Sequence, residues 1–226
     1  MKHHAIMTAG GSGTRLQSEL PKQFLLLSGL PVLMHTVKKF SGISGKIIVT
    51  LPSNHIETWK KLCSLYDFEI AHTVCDGGAT RFHSVKNALE EIPDEEALVA
   101  VHDGVRPAVS EELIQKVFNA AEKNGNAIPF LTLSESIRKK DETGSNFYAD
   151  RKNFISIQTP QCFKIKSLRK AYAQPFSESF TDDAAAVEAA TGEKIFLVEG
   201  ERGNIKITTM EDLIFAEQLM AADRNN

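Results

Sequence analysis

Residues Ala97-Leu98-Val99-Ala100-Val101-His102-Asp103-Gly104 decide how this chain folds. An unbroken apolar run of this length is a strand buried on both faces, not one with a wet side. Asp103-Gly104 stops it, and Val105-Arg106-Pro107 turns the chain away. Strands covered on both faces belong to sheets whose neighbours run parallel and are joined by helical crossovers.

The same alternation extends in both directions. Ala5–Ala9 reads as a first strand ending at Gly10-Gly11. Pro31–Phe40 starts with a proline in a helical first turn and spaces Leu33, Val37 and Phe40 on one face. Lys46–Leu51 is a β-branched strand, and Ile56–Tyr66 a helix burying Trp59, Leu62 and Leu65. Ser84–Ile92 and Ser110–Asn124 are helices, the second with Glu111 and Glu112 where the dipole favours carboxylates. Ala127–Leu133 is another strand. Residues 134–153 break the rhythm, being polar with a Gly-Ser turn and no helical stripe. They are expected to protrude as a hairpin turning near Thr143–Asn146. The pattern resumes with a strand at Phe154–Gln158, a helix from Ile165 and a helix capped by Thr181. The strand Lys194–Val198 and the helix Thr209–Ala222 follow. The expected fold is one α/β domain over residues 1–226, a Rossmann-like doubly wound, mainly parallel sheet with an inserted β-arm.

Composition narrows the function. The 226 residues are 42% hydrophobic and 24% charged, ordinary globular usage, which excludes disordered and fibrous classes. Lys and Arg total 26 against 29 Asp and Glu, a net charge of −3, so no nucleic acid is gripped by bulk charge. Three cysteines without a CxxC pair suit a reducing compartment. No apolar run approaches the roughly 18–20 residues that span a bilayer, and the first residues lack a signal-peptide core. These features point to a cytoplasmic enzyme with no membrane partner.

Five motifs carry the chemistry. Ala9-Gly10-Gly11-Ser12-Gly13-Thr14-Arg15 follows strand one, where glycines turn backbone N–H groups toward an anion. Leu16 spoils a dinucleotide fingerprint, and Lys22 after Pro21 does not make a P-loop. Arg15 and Lys22 together balance a triphosphate and its leaving pyrophosphate. Asp103 ends an interior strand, the place where open α/β sheets hold ligands, and one carboxylate there suits Mg2+ bridging phosphates. Arg106 offers a fork to a phosphate. His102 is read as a packed strand histidine, since neighbours on a strand face opposite ways and no nucleophile elbow exists. Gly77-Gly78 permits close approach to a base edge, and Ser84 either caps the next helix or binds ligand, with capping the commoner role. Gln158-Thr159-Pro160-Gln161 and Asn204-Ile205-Lys206 complete the set, Lys206 as a further cation.

In order, AGGSGTR with PKQF, GGATRFHSV, HDGVRP, QTPQCF, TDDA and NIKITTMED resemble the 2-C-methyl-D-erythritol 4-phosphate cytidylyltransferase family from about residue 5 to residue 216. The resemblance implies transfer of CMP from CTP to the sugar phosphate, with Mg2+ and release of pyrophosphate. It implies that Arg15 and Lys22 are catalytic and that Ala9, Gly10, Gly11 and Gly13 contact the nucleotide. Gly78 and Ser84 would read cytosine, with Lys206 near the phosphates. Asp103 would bind the metal; Asp103, Arg106, Ser136 and Thr159 would line the acceptor site. Arg151 would reach the acceptor of a neighbouring subunit, because the family forms homodimers through interlocking arms. Thr8 before Ala9, Gly104-Val105 and Glu135-Ser136-Ile137-Arg138 depart from the usual family residues. The nearest rival acceptor is ribitol 5-phosphate. A CTP-binding protein without turnover and a nicotinamide oxidoreductase rank below it.

Overall fold

A computed structural model describes residues 1–11 and 20–223. In chain order the elements are β1 (Lys2–Thr8), β2 (Leu26–Leu27), β3 (Leu30–Pro31), α1 (Val32–Phe40), β4 (Lys46–Leu51), α2 (Ser53–Leu65) and β5 (Thr73–Asp76). There follow α3 (Arg81–Glu90), β6 (Ala97–Asp103), α4 (Glu111–Asn124), β7 (Asn126–Thr132), β8 (Ile137–Lys140) and β9 (Asn146–Ala149). The chain continues with β10 (Ile155–Ile157), β11 (Gln161–Lys164), α5 (Ile165–Ala173), α6 (Asp183–Thr191), β12 (Leu197–Glu199) and α7 (Met210–Asp223).

The main sheet runs β10-β7-β11-β6-β1-β4-β5, with β12 also on β7. Its β6-β1-β4-β5 half is parallel. Every residue of β6 is buried, as its apolar run requires. Successive residues serve opposite layers. Leu98 and Ala100 join Leu33, Phe40, Leu113 and Phe118 of α1 and α4, while Val99 and Val101 join Val85, Leu89 and Leu168 of α3 and α5. The doubly wound architecture follows directly from that strand.

The other half departs from strict parallel order. β11 lies antiparallel between β6 and β7, and β10 is antiparallel to β7. This insertion brings Gln158 and Thr159 back beside Asp103, whose N–H donates to Thr159 Oγ1 at 3.1 Å.

Several local expectations need correction. Leu65 lies on the open side of α2 at 70% exposure, because that helix buries only Trp59 fully. Asp182, not Thr181, caps α6, its carboxylate accepting from Ala185 N. Thr80 caps α3, so Ser84 falls inside the first turn and does not serve as the cap. The arm is a hairpin of β8 and β9, with its turn organised by Asp141, which accepts from the N–H groups of Thr143 and Ser145.

Candidate active site

The carboxyl ends of β1 and β6 lie side by side, Thr8 opposite Asp103. A cleft of about 330 Å3 opens there. Ala9, Gly10, Gly11, Lys22, Gly78, Ser84, Asp103 and Lys206 line it, so most of the sequence-predicted nucleotide residues meet in one place. Gly13 and Arg15 lie outside the described residues.

The loop walls are fixed by the chain itself. Ala9 donates its N–H to Thr50 O at 3.1 Å and accepts from Gln23 Nε2 at 2.8 Å, so Gly10 and Gly11 are left to turn N–H groups toward an anion. Ser84 Oγ accepts from Gly78 N at 3.1 Å and donates to Thr80 O at 3.0 Å, pinning the glycine loop to α3. A Cβ on Gly78 would sit 2.2 Å from His83 Cβ, and one on Gly104 would sit 2.9 Å from Leu33 Cδ1. Only glycine fits at Gly78, while a side chain at Gly104 would push Leu33 aside.

Asp103 is the centre of charge. Its carboxylate, 8% exposed, takes Arg106 Nε at 3.0 Å and Lys206 Nζ at 3.2 Å, with Arg81 Nε at 3.8 Å. Burial alone would raise this carboxyl; Arg81, Lys206 and Arg106 outweigh it and hold it far below the usual carboxylate range. Asp103 is therefore ionised at any working pH. Among the described residues no group of three His, Cys, Asp or Glu side chains gathers to hold an ion. A metal at Asp103 would take its remaining ligands from phosphate and water, the habit of Mg2+ with nucleotides, and the residues present fit that group.

His102 is buried and neutral, its imidazole lowered to about 3 chiefly by burial. Its ring nitrogens pair with Thr159 Oγ1 at 3.0 Å and with Arg106 O at 3.2 Å. With Nε2 donating to that carbonyl, Nδ1 accepts from Thr159, whose oxygen takes the Asp103 N–H. His102 is thus a bracket behind Asp103 and not a base. Burial also pushes the Cys63 and Cys75 thiols up to about 11, which leaves them poor nucleophiles.

A second cleft of about 290 Å3 lies on the far side of Asp103, lined by Arg106, Gln158, Thr159 and Gln161 and by Thr181 and Asp182 at the start of α6. Arg81, Asp103 and Lys206 border both clefts. Sequence reasoning missed Arg81 and Asp183. A cation in the first residue of a helix is electrostatically out of place and signals a dedicated partner. That partner is Asp183, fully buried, which takes both terminal nitrogens of Arg81 at 2.9 and 2.7 Å. Ser136 and Arg151 stand apart. Both are exposed at the root of the arm, where Arg151 Nη1 donates to Ser134 O, and neither borders the two clefts.

A glycine-walled anion cleft, sharing one ionised carboxylate and its cations with a neighbouring cleft on a doubly wound sheet, defines a nucleotidyltransferase. Similarity to known proteins narrows the class. The chain belongs to the family described as IspD: 2-C-methyl-D-erythritol 4-phosphate cytidylyltransferase, whose model matches residues 3–222. It is 46% identical over 221 residues to the enzyme of that name from Porphyromonas gingivalis, covering 98% of this chain and 99% of the relative. The Bacteroides thetaiotaomicron enzyme of the same name is 45% identical over 224 residues, covering 97% and 100%. Among solved structures, the 2-C-methyl-D-erythritol 4-phosphate cytidylyltransferase of Thermus thermophilus matches with a TM-score of 0.79 at 31% identity, covering 97% and 98%. The 4-diphosphocytidyl-2C-methyl-D-erythritol synthase of Anaerococcus prevotii matches with a TM-score of 0.81 at 32% identity, covering 97% and 96%.

Proposed function

We propose that this chain transfers the cytidylyl group of CTP to 2-C-methyl-D-erythritol 4-phosphate, forming 4-diphosphocytidyl-2-C-methyl-D-erythritol and pyrophosphate for non-mevalonate isoprenoid synthesis. The observation that carries the proposal is the pair of clefts joined at Asp103, Arg81 and Lys206. Two anionic substrates, one in each cleft, meet where the positive charge is densest.

CTP occupies the first cleft. Gly78 and Ser84 read cytosine, while Ala9, Gly10, Gly11 and Gly13 border the ribose and triphosphate. Lys22 and Arg15 offset the charge that develops on the α- and β-phosphates. The acceptor phosphate enters the second cleft beside Arg106 and the wall formed by Thr159. Lys206 sits between the two. An acceptor oxygen attacks the α-phosphorus as the bond to the β-phosphate breaks and pyrophosphate leaves. The oxygen is already ionised near neutral pH, since a phosphate monoester's second pKa is about 6, and no protein base is needed. Mg2+ held at Asp103 would neutralise phosphate charge when bound. Catalysis is thus positioning plus charge compensation, the general logic of phosphoryl transfer.

The arm serves a second copy of the chain. Exposed Phe147 and Tyr148 support this reading, and Arg151 at its root approaches the partner's acceptor. The enzyme works as a homodimer in the cytoplasm, where its three free cysteines stay reduced. No described helix is long and apolar enough to cross a membrane. Pyrophosphate release from CTP and Mg2+ with a panel of polyol phosphates tests the assignment. The expected preference is for methylerythritol phosphate; release with ribitol 5-phosphate alone would overturn it.

A further inference from the structure

The Thr181-Asp182-Asp183-Ala184 motif is given no step in the chemistry above, yet it meets Arg81, which borders both clefts, at their junction. Arg81 Nη1 donates to Asp183 Oδ1 at 2.9 Å and Nη2 to Oδ2 at 2.7 Å. Asp183, with no exposed side-chain surface, also accepts the Tyr172 hydroxyl at 2.5 Å and is therefore anchored from α5. Arg81 Nε remains 3.8 Å from Asp103, too far for a hydrogen bond. A buried ion pair is a weak source of stability, because apolar residues of equal volume often do as well. What such a pair fixes is the place of a charge.

We propose that Asp183 is a positioning residue for the transfer reaction: by gripping both terminal nitrogens of Arg81 it keeps that guanidinium off Asp103 and holds open the gap between the nucleotide and acceptor clefts. The inference rests on the cytidylyl transfer proposed above. Without the fork, Arg81 turns to Asp103, already 3.8 Å from its Nε, and closes on it, filling the space the acceptor phosphate must enter. The glycine loop of the nucleotide cleft does not lean on Asp183. Thr80 caps α3, and Ser84 ties Gly78 N to Thr80 O, with no help from Asp183.

The test is Asp183→Asn, measured beside the wild type for turnover of CTP with methylerythritol phosphate and, without acceptor, for CTP binding by calorimetry. Expected is a fall in acceptor kcat/KM of at least about tenfold, the scale of a lost charged hydrogen bond, with the CTP Kd within about threefold. Tyr172→Phe keeps the fork, so its melting point falls while its kinetics stay close to wild type. Adding Arg81→Met to Asp183→Asn removes the cation that closes the gap, and acceptor KM recovers part of the loss, short of wild type because the junction has lost one of its charges. Loss of packing alone would make the double variant worse. Should Asp183→Asn not fold, Arg81→Lys asks the same question, since an ammonium cannot bridge both oxygens. Unchanged acceptor kinetics, equal weakening of CTP and acceptor, or no recovery in the double variant overturns the proposal. A wild type that forms no product overturns the assigned reaction instead.

Discussion

The Asp103 crossroads and the β8–β9 arm are built on opposite terms. At the crossroads the described charges around Asp103 pair within the chain: Arg106 reaches Asp103 and Asn204 O, Arg81 reaches Asp183, and Lys206 reaches Asp103. In the arm, Tyr148 is 78% and Phe147 54% exposed, and the two strands pair only with each other. The first region is preorganised, with Asp103 and Asp183 buried and its cations held by partners before substrate arrives. The second leaves apolar surface that a monomer does not cover. One chain thus pairs the described charges of its clefts internally and leaves the arm's aromatic surface uncovered.

The largest expected effect breaks the first region. Lys22→Ala costs about 2.7–4 kcal/mol of transition-state stabilisation, the scale of one lost electrostatic donor, with a native circular dichroism spectrum. A variant that keeps most of its kcat would remove Lys22 from the triphosphate. Gly78→Ala comes next. Its Cβ would lie 2.2 Å from His83 Cβ, so the loop must shift, costing about 1–3 kcal/mol in a melting experiment. CTP affinity measured by calorimetry should drop along with it, and a native Kd would show that the loop does not approach the base.

The arm is tested by different readouts. Arg151→Ala should raise acceptor KM and leave CTP binding unchanged. Mixing it with the Lys22→Ala variant should restore part of the activity if the arm works in trans, and none if it serves its own chain. Phe147→Ser with Tyr148→Ser should shift the dimer to monomer in analytical ultracentrifugation. As surface changes they should move monomer stability by no more than about 0.5 kcal/mol.

A separate signal is a pH slope. His102 is about 3 in the folded chain and near 6.5 when unfolded. The unfolded chain therefore binds the proton first as pH falls, and stability drops between pH 6.5 and 3 by about one proton's worth of slope. His102→Gln should flatten that part of the urea-denaturation profile if it folds natively. An unchanged slope would mean that His102 does not stay neutral inside.

How much of this was legible beforehand differs by element. β6 was plain because an uninterrupted apolar run has one structural solution, and α4 because Ser110 caps it and its apolar spacing is regular. The arm showed itself by lacking any buried stripe. β11 and β5 escaped notice: each has four residues, β5 is only half-buried, and neither carries a period long enough to register. The antiparallel turn-back through Thr159 depends on β11, so its contact with Asp103 was beyond pattern reading. Lys22, Asp103 and Lys206 were found through motif chemistry. The Arg81–Asp183 fork joins residues 102 positions apart and leaves no local trace except a cation where a helix begins.

The central claim is that two substrates meet across Asp103 and one cytidylyl group changes hands. Phosphorus NMR of the protein with CTP, Mg2+ and methylerythritol phosphate tests it most directly. The account predicts a new diphosphate diester signal growing in step with free pyrophosphate, and none with Asp103→Asn. CTP breakdown to CMP with the acceptor phosphate unconsumed would contradict it.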